Sequence, residues 1–176
     1  MLFCPTTLKG AYLIHPEKSE DERGFFSRLF CQEEFGAHAL HFNLSQWSCS
    51  FNYKRGTLRG MHFQASPYEE IKIVYCTQGA IFDVIIDLRR ESSTYKRWFG
   101  TELTALNRTL LYVPAGFAHG FQTLQDHSEV LYQISHPYHP GAARGILWND
   151  PAFQISWPLW VEIISLKDQN YPLFVE

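Results

Sequence analysis

Apolar and polar residues alternate with a period of two over residues 71–76. Ile71, Ile73 and Tyr75 fall on one side of an extended chain, and Lys72, Val74 and Cys76 on the other. Successive side chains of a strand point to opposite faces, so this pattern predicts a strand. Residues 80–88 (Ala-Ile-Phe-Asp-Val-Ile-Ile-Asp-Leu) are β-branched and nearly continuous in apolar character, with Gly79 before them. Further strands are predicted at 97–103, 109–113, 117–124 and 129–135, separated by turn formers at Ser92-Ser93, Asn107-Arg108, Pro114-Ala115-Gly116 and Gln125-Asp126. Upstream, residues 17–24 are charged and predict a loop. Cys31 to Leu40 predicts a short helix, with Glu33 and Glu34 near the positive end of its dipole. The tail from about Asn149 carries Pro151, Pro158 and Pro172 and predicts loops with one short helix. Many short strands at this spacing imply an all-β fold, an antiparallel sandwich or small barrel.

Composition narrows the class. A chain of 176 residues suits one domain, residues 1–176, with enough length for a full core. Hydrophobic residues at 45% and aromatics at 16% exclude disorder. A formal net charge of -3 gives no electrostatic footprint for nucleic acid. Lys54-Arg55 with Arg59 is a local basic cluster suited to a small anion. Cys4, Cys31, Cys49 and Cys76 form no Cys-x-x-Cys pair, which excludes a zinc ribbon or redox motif. The opening Met1 to Thr6 lacks a basic segment followed by a long apolar one, and no run is long enough to span a membrane. The expectation is a cytoplasmic protein with reduced thiols.

Two histidine-bearing runs are the candidate chemistry. They are Arg59-Gly60-Met61-His62-Phe63-Gln64 and Pro114-Ala115-Gly116-Phe117-Ala118-His119-Gly120-Phe121. A histidine with basic neighbours in an aromatic-lined barrel can remove a carbon-bound proton and stabilise the charge left behind. It can equally be a metal ligand or a packed core residue. Arg59, Lys72, His119 and Tyr132 all lie in apolar, strand-like runs, where each is costly to bury without a partner. Alternation allows Lys72 (with Val74 and Cys76) and Tyr132 (with Val130 and Ile134) to point inward. Arg59 and His62 differ by an odd number of positions, so a regular strand would split them between faces. Either Gly60 permits a bulge or one of the two ends the strand.

The run Pro-x-Gly-x-x-His at 114–119 resembles the second cupin motif, whose histidine often binds metal. The first motif's histidine pair is missing, since Phe63 and Gln64 follow His62. Two histidines expected to be separated by the whole barrel make a poor metal site, and none is expected. Glu69-Glu70 is expected in a solvated loop, and Trp98, Trp148 and Trp157 in packing. His127, His136 and His139 are expected at the surface. Asp83 and Asp87 are expected to be structural, on the polar side of a strand. No Gly-x-Gly-x-x-Gly, Walker loop or Gly-x-Ser-x-Gly occurs.

Taken in order, these motifs resemble the dTDP-4-dehydrorhamnose 3,5-epimerases, a branch of the cupin barrels. The resemblance runs from Asp21-Glu22-Arg23-Gly24-Phe25-Phe26 to Ser165-Leu166-Lys167-Asp168. It includes residues 56–64, Phe82-Asp83-Val84, Asp87-Leu88-Arg89, residues 114–121, Leu131-Tyr132 and Trp148-Asn149-Asp150-Pro151. It implies a cupin-like antiparallel β-barrel (jelly roll) with a few short helices, and a cofactor-independent epimerase acting on a nucleotide-linked 4-keto-6-deoxyhexose at carbons 3 and 5. It implies His62 as the base, Asp168 as the carboxylate orienting it, Tyr132 as the proton donor and Lys72 as the cation beside the enolate oxygen. Arg59, His119, Arg23, Gln46 and Lys167 match residues that hold the sugar or its diphosphate, and Phe26 lies in the matching N-terminal segment. It also implies a homodimer in which that segment reaches the neighbouring subunit.

The chain departs from better-known members at Arg28 (glutamate there), near Ser48 (asparagine, with this chain one residue longer), at Gln133 (lysine) and near Ala143 (glutamate). These departures bear on the sugar and nucleotide. The alternatives are a single-site epimerase or ketoisomerase, a non-catalytic sugar-binding cupin, and a metal-dependent cupin dioxygenase.

Overall fold

The computed structural model describes residues 1–175. In chain order its strands begin with β1 (Leu2–Pro5), β2 (Tyr12–His15), β3 (Lys18–Asp21) and β4 (Gly24–Ser27). Helix α1 (Gln32–Ala37) follows, then β5 (Gln46–Asn52), β6 (Thr57–Gln64), β7 (Lys72–Gln78), β8 (Ala80–Asp87), β9 (Trp98–Thr104) and β10 (Leu110–Val113). The chain continues through β11 (Phe117–Thr123), β12 (Ser128–Ile134), β13 (Ala143–Gly145), β14 (Ile163–Ile164) and the short helix α2 (Leu166–Gln169). One sheet has the order β1-β2-β10-β7-β12-β5 and the other β13-β6-β11-β8-β9, with β14 joining β6. Apart from the parallel β14–β6 contact, neighbouring strands are antiparallel. Two stacked antiparallel sheets are what the strand spacing implied, and the arrangement is the jelly roll that the family resemblance implied.

The core explains the pattern of the chain. Val74, Cys76, Leu111, Val113 and Val130 from the first sheet meet Ile81, Ile85, Leu103, Phe117 and Phe121 from the second. The outer face of the first sheet is also buried: Ile73, Tyr75, Leu110 and Tyr112 pack under Phe35 of α1. So β7 splits as its alternation predicted, with Ile71, Ile73 and Tyr75 outward and Val74 and Cys76 inward. The outer face of the second sheet is covered too. Met61, Val84, Ile86 and Ala118 pack against Ile146, Phe153, Trp157 and Phe174 of the C-terminal segment. Strand β8 is therefore buried on both faces, which is why it reads as a continuous apolar run.

Three expectations need correction. Residues 17–24 are not a loop: β3 and β4 form a hairpin. Its residues are mostly exposed on both faces, so no hydrophobic alternation marks it. Its Phe25 ring lies under the Lys18 ammonium and the Arg108 guanidinium, at 4.8 and 4.6 Å. Strand β8 has no polar side, and Asp83 and Asp87 are both fully buried. Glu70 is not solvated; its side chain is 9% exposed.

Asp87 ends β8 by gathering the following loop. Its carboxylate accepts from the Arg89 backbone N–H at 3.0 Å, Arg89 Nε at 2.8 Å, Ser92 Oγ at 2.5 Å and Thr94 Oγ1 at 2.6 Å. Burial pushes its pKa up, but these donors outweigh burial and hold it at about 2. A depressed folded pKa contributes stability above the unfolded value of roughly 4. That contribution is lost as pH falls toward about 2. Asp87→Asn is expected to lower the unfolding free energy near neutral pH by about 1–3 kcal/mol. Urea midpoints of the two proteins should converge as pH falls through that window; a constant gap would sink the linkage.

Candidate active site

The functional side chains meet because of one irregularity between β6 and β11. His119 lies opposite His62, and Phe121 lies opposite Arg59, so Gly60 and Met61 of β6 face Gly120 alone. This bulge shifts the parity of β6, and Arg59 and His62 then line the same cavity. Met61 turns the other way, into the outer cluster. Glycine is required here. Gly60 has φ +146°, and a Cβ on it would lie 2.6 Å from Gly120 Cα.

The cavity, about 270 Å³, is lined by Ser50, Arg59, His62, Lys72, His119, Phe121, Tyr132 and Ile134. It opens beside a second cavity of about 380 Å³, where Arg59 and His62 are joined by Ser165, Lys167 and Asp168. His62 and His119 stand on β6 and β11 of one sheet, and Lys72 and Tyr132 on β7 and β12 of the other. The two histidines are thus cross-strand neighbours, not separated by the barrel as the sequence suggested.

Each polar group has a partner behind it. His62 Nε2 donates to Asp168 Oδ1 at 2.8 Å, and the His62 side chain is 42% exposed, so a ligand can reach it. Parallel pairing of β14 with β6 carries α2 to this point. There Ser165 caps α2 by accepting the Asp168 N–H at 3.0 Å. The second Asp168 oxygen accepts the Gly60 N–H at 3.2 Å. Burial pushes the Asp168 pKa up, but His62, the Gly60 N–H and the Ser165 hydroxyl outweigh it and leave the carboxyl below its usual range.

His119 Nε2 donates to Asp83 Oδ1 at 2.8 Å. Lys72 Nζ lies 3.0 Å from Glu70 Oε1. Arg59 Nε donates to Asn52 Oδ1 at 2.7 Å, and Asn52 Nδ2 is anchored on the Ser128 carbonyl at 3.1 Å. Tyr132 differs. Its ring meets His119 edge-on at 6.1 Å. Burial raises its phenol pKa, nearby Asp83 raises it further, and a hydrogen bond with Ser50 opposes both. The net rise keeps the phenol protonated near neutral pH. An accessible, carboxylate-held imidazole therefore faces a protonated phenol across a space flanked by cations, which is acid-base equipment.

Residues 5–176 match the family model described as dTDP-4-dehydrorhamnose 3,5-epimerase. The chain belongs to this family. The enzyme of that name from Sinorhizobium fredii is 40% identical over 100% of this chain and 91% of its own length. The one from Methanothermobacter thermautotrophicus is 42% identical over 96% of this chain and 92% of its own length. The crystal structure of the dTDP-4-dehydrorhamnose 3,5-epimerase from Bacillus anthracis, with TDP and PPi bound, superposes with a TM-score of 0.95. It is 39% identical, and the match covers 98% of this chain and 99% of that one.

The structure of this family member sorts the residues read from the sequence. His62, Lys72, Arg59, His119 and Tyr132 share the cavity, and Asp168 backs His62. Lys167 lines the adjoining cavity. Gln46 sits opposite Ile134, which lines the cavity, and its Oε1 accepts the Tyr138 N–H at 2.7 Å. Arg23 and Phe26 are not brought in. They lie on the β3–β4 hairpin, with Arg23 paired to Asp21 and its side chain 85% exposed, and Phe26 72% exposed.

Of the departures, Ser48 lies opposite Tyr132 on β12, two residues from Ser50 on the same strand face. Arg28 pairs with Glu34 at 3.0 Å, and Gln133 stands opposite Ile73, whose side chain packs outward. The larger groove of about 740 Å³, lined by Trp148, Trp157 and Trp160 among others, holds none of these residues.

Sequence reasoning missed Asp83, Glu70, Ser50 and Asn52 as site residues. One signal was available: Gln46, Ser48, Ser50 and Asn52 alternate with Trp47, Cys49 and Phe51, the period of a strand with a polar face. Among the described residues, no three His, Cys, Asp or Glu side chains form a metal ligand set. Gly60→Ala is expected to destabilise the protein by roughly 1–3 kcal/mol, since the new methyl meets backbone. An unchanged denaturation midpoint would show that the two strands have slack to separate.

Proposed function

We propose that this chain inverts carbon 3 and carbon 5 of a dTDP-4-keto-6-deoxyhexose through an enolate. The observation that carries the reading is the Asp168-held, accessible His62 facing Tyr132 across a cavity that also holds Lys72, in a chain of this family. The ketone acidifies the protons on both neighbouring carbons. His62 removes one, and Asp168 holds the ring and stabilises the imidazolium that forms. Lys72 donates to the oxygen that becomes negative. Tyr132, kept protonated by its surroundings, returns a proton from the opposite sheet and so inverts the centre. General acid-base work contributes ~10²–10⁴-fold, so stabilisation of the enolate supplies much of the rest. The ketone is itself the electron sink, and the scheme draws on no cofactor. Arg59, His119, Gln46 and Lys167 hold the sugar and its diphosphate.

Arg23 and Phe26 belong to the same site by another route. The proposed assembly is a homodimer in which the β3–β4 hairpin reaches the neighbouring subunit's cavity. Its support is an exposed hairpin with no residue lining this chain's own cavity, together with exposed Trp47 and Phe51 on edge strand β5. The whole chain, residues 1–176, acts as one catalytic domain, matched by the family model from residue 5 onward. Its proposed place is the cytoplasm, in keeping with four unpaired cysteines. No helix among the described residues is long and apolar enough to cross a membrane.

The deciding experiment runs the reaction in heavy water with dTDP-4-keto-6-deoxyglucose. Deuterium is expected at both carbon 3 and carbon 5. Label at one carbon would make this a single-site epimerase, and no label would remove the reading for this substrate. His62→Ala is expected to lose ~10²–10⁴-fold in rate while staying folded, and Asp168→Asn to lose less. Tyr132→Phe should still exchange protons slowly but yield little inverted product; equal loss of both would take Tyr132 out of the donor role.

The exchanged hairpin has its own test. Arg23→Ala and His62→Ala proteins, each impaired alone, should recover activity when unfolded and refolded together, because one site of the mixed dimer is intact. A mixture no better than the sum of its parts would exclude a shared site.

A further inference from the structure

Glu70 has no part in the scheme above, yet the fold places it beside the chemistry. It stands two residues before Lys72 and shares its parity. The Ile71 N–H donates to Ser135 Oγ at 2.8 Å, and the Ile71 carbonyl accepts from the Ser135 N–H at 3.0 Å. The contact between β7 and the chain after β12 therefore continues past Lys72. One Glu70 oxygen lies 3.0 Å from Lys72 Nζ, with the two side chains only 9% and 11% exposed. The other oxygen is buried and has no hydrogen-bond partner among the described residues.

A buried ammonium on a four-carbon stem raises two physical problems. Its charge is costly to desolvate without a counter-ion, and its stem has many rotamers. Glu70 answers both, since the carboxylate supplies the opposite charge and a fixed contact point. An orphaned carboxylate oxygen is itself unfavourable, so hydrogen bonding alone does not account for Glu70. What the pair achieves is a lysine held in place at the wall of the cavity. We propose that Glu70 is a positioning residue for the epimerisation, holding the Lys72 ammonium ready for the oxygen that becomes negative in the enolate. The proposal rests on the enolate reading given above.

A purely structural carboxylate and a positioning one differ in kinetics. Wild type, Glu70→Gln, Lys72→Met and the double variant are compared for kcat, KM and proton exchange in heavy water with dTDP-4-keto-6-deoxyglucose. Glu70→Gln is expected to lower kcat by roughly 10- to 100-fold, less than outright loss of an oxyanion donor, with KM little changed. Exchange should fall in step with inversion, because enolate formation is the step affected. In the Lys72→Met background, Glu70→Gln should have no further effect, since it acts through the lysine. Glu70→Asp keeps the charge and should lose less; it gives the same reading if Glu70→Gln fails to fold. An unchanged kcat, a loss confined to KM, or additive losses in the double variant would overturn the proposal while wild-type exchange leaves the epimerase reading intact. Wild-type protein that exchanges neither proton would overturn both.

Discussion

The contact between Gly60 and Gly120 is the constraint on which the site depends. With no side chains between them, β6 and β11 approach closely enough for two residues of one strand to face one of the other. The extra residue reverses the parity of β6, so Arg59 and His62 share a cavity while Met61 fills the outer cluster. The same distortion takes the Gly60 N–H out of the regular ladder, and a buried N–H needs an acceptor. Asp168 supplies it with one oxygen and holds His62 with the other. The bulge, the orientation of the histidine and the docking of α2 are therefore one structural event.

Electrostatics follows a common plan around the cavity. His62 is tied to Asp168, His119 to Asp83, Lys72 to Glu70 and Arg59 to Asn52. Burying such groups is unfavourable unless each is paired. Every tether also fixes a donor before any ligand arrives, so little reorganisation is left for the moment charge develops. Tyr132 is the exception. It contacts Ser50 and not a carboxylate, and its surroundings raise its pKa. A cavity that disfavours an ionised phenol keeps its acid protonated.

How much of this was legible in the sequence depends on what each residue's neighbours are. The alternation at 71–76 placed Lys72 inward correctly, because one outer face is covered by α1 and the inner face by the second sheet. The bulge at Gly60 was foreseeable from the odd spacing of Arg59 and His62, though spacing could not choose it over a strand end. The β3–β4 hairpin escaped notice because neither of its faces is buried. Asp83 and Glu70 were misjudged because a local sequence does not reveal what covers a strand's far side or a loop's flank. The tie between His62 and Asp168, 106 positions apart, has no periodic signature at all. Only resemblance to a family brought those two residues together before the fold was known.

The proposed inversion also explains why this architecture suits the chemistry. A stereocentre inverts when a proton leaves one face of the sugar ring and another arrives on the opposite face, so base and acid must stand on either side of a flat ligand. Two stacked sheets lie about 10 Å apart, and a cavity between them can admit a sugar ring where large apolar side chains give way to polar ones. Here His62 comes from one sheet and Tyr132 from the other, with Lys72 on the same sheet as Tyr132. A single sheet presents all its inward residues from one side and cannot supply both partners. The sandwich does so, and Lys72 lines the same cavity, where the ketone is flanked by the two acidified carbons. Which carbon is attacked then turns on how the ring is seated, so selectivity rests with the residues that grip the sugar rather than with the acid-base pair.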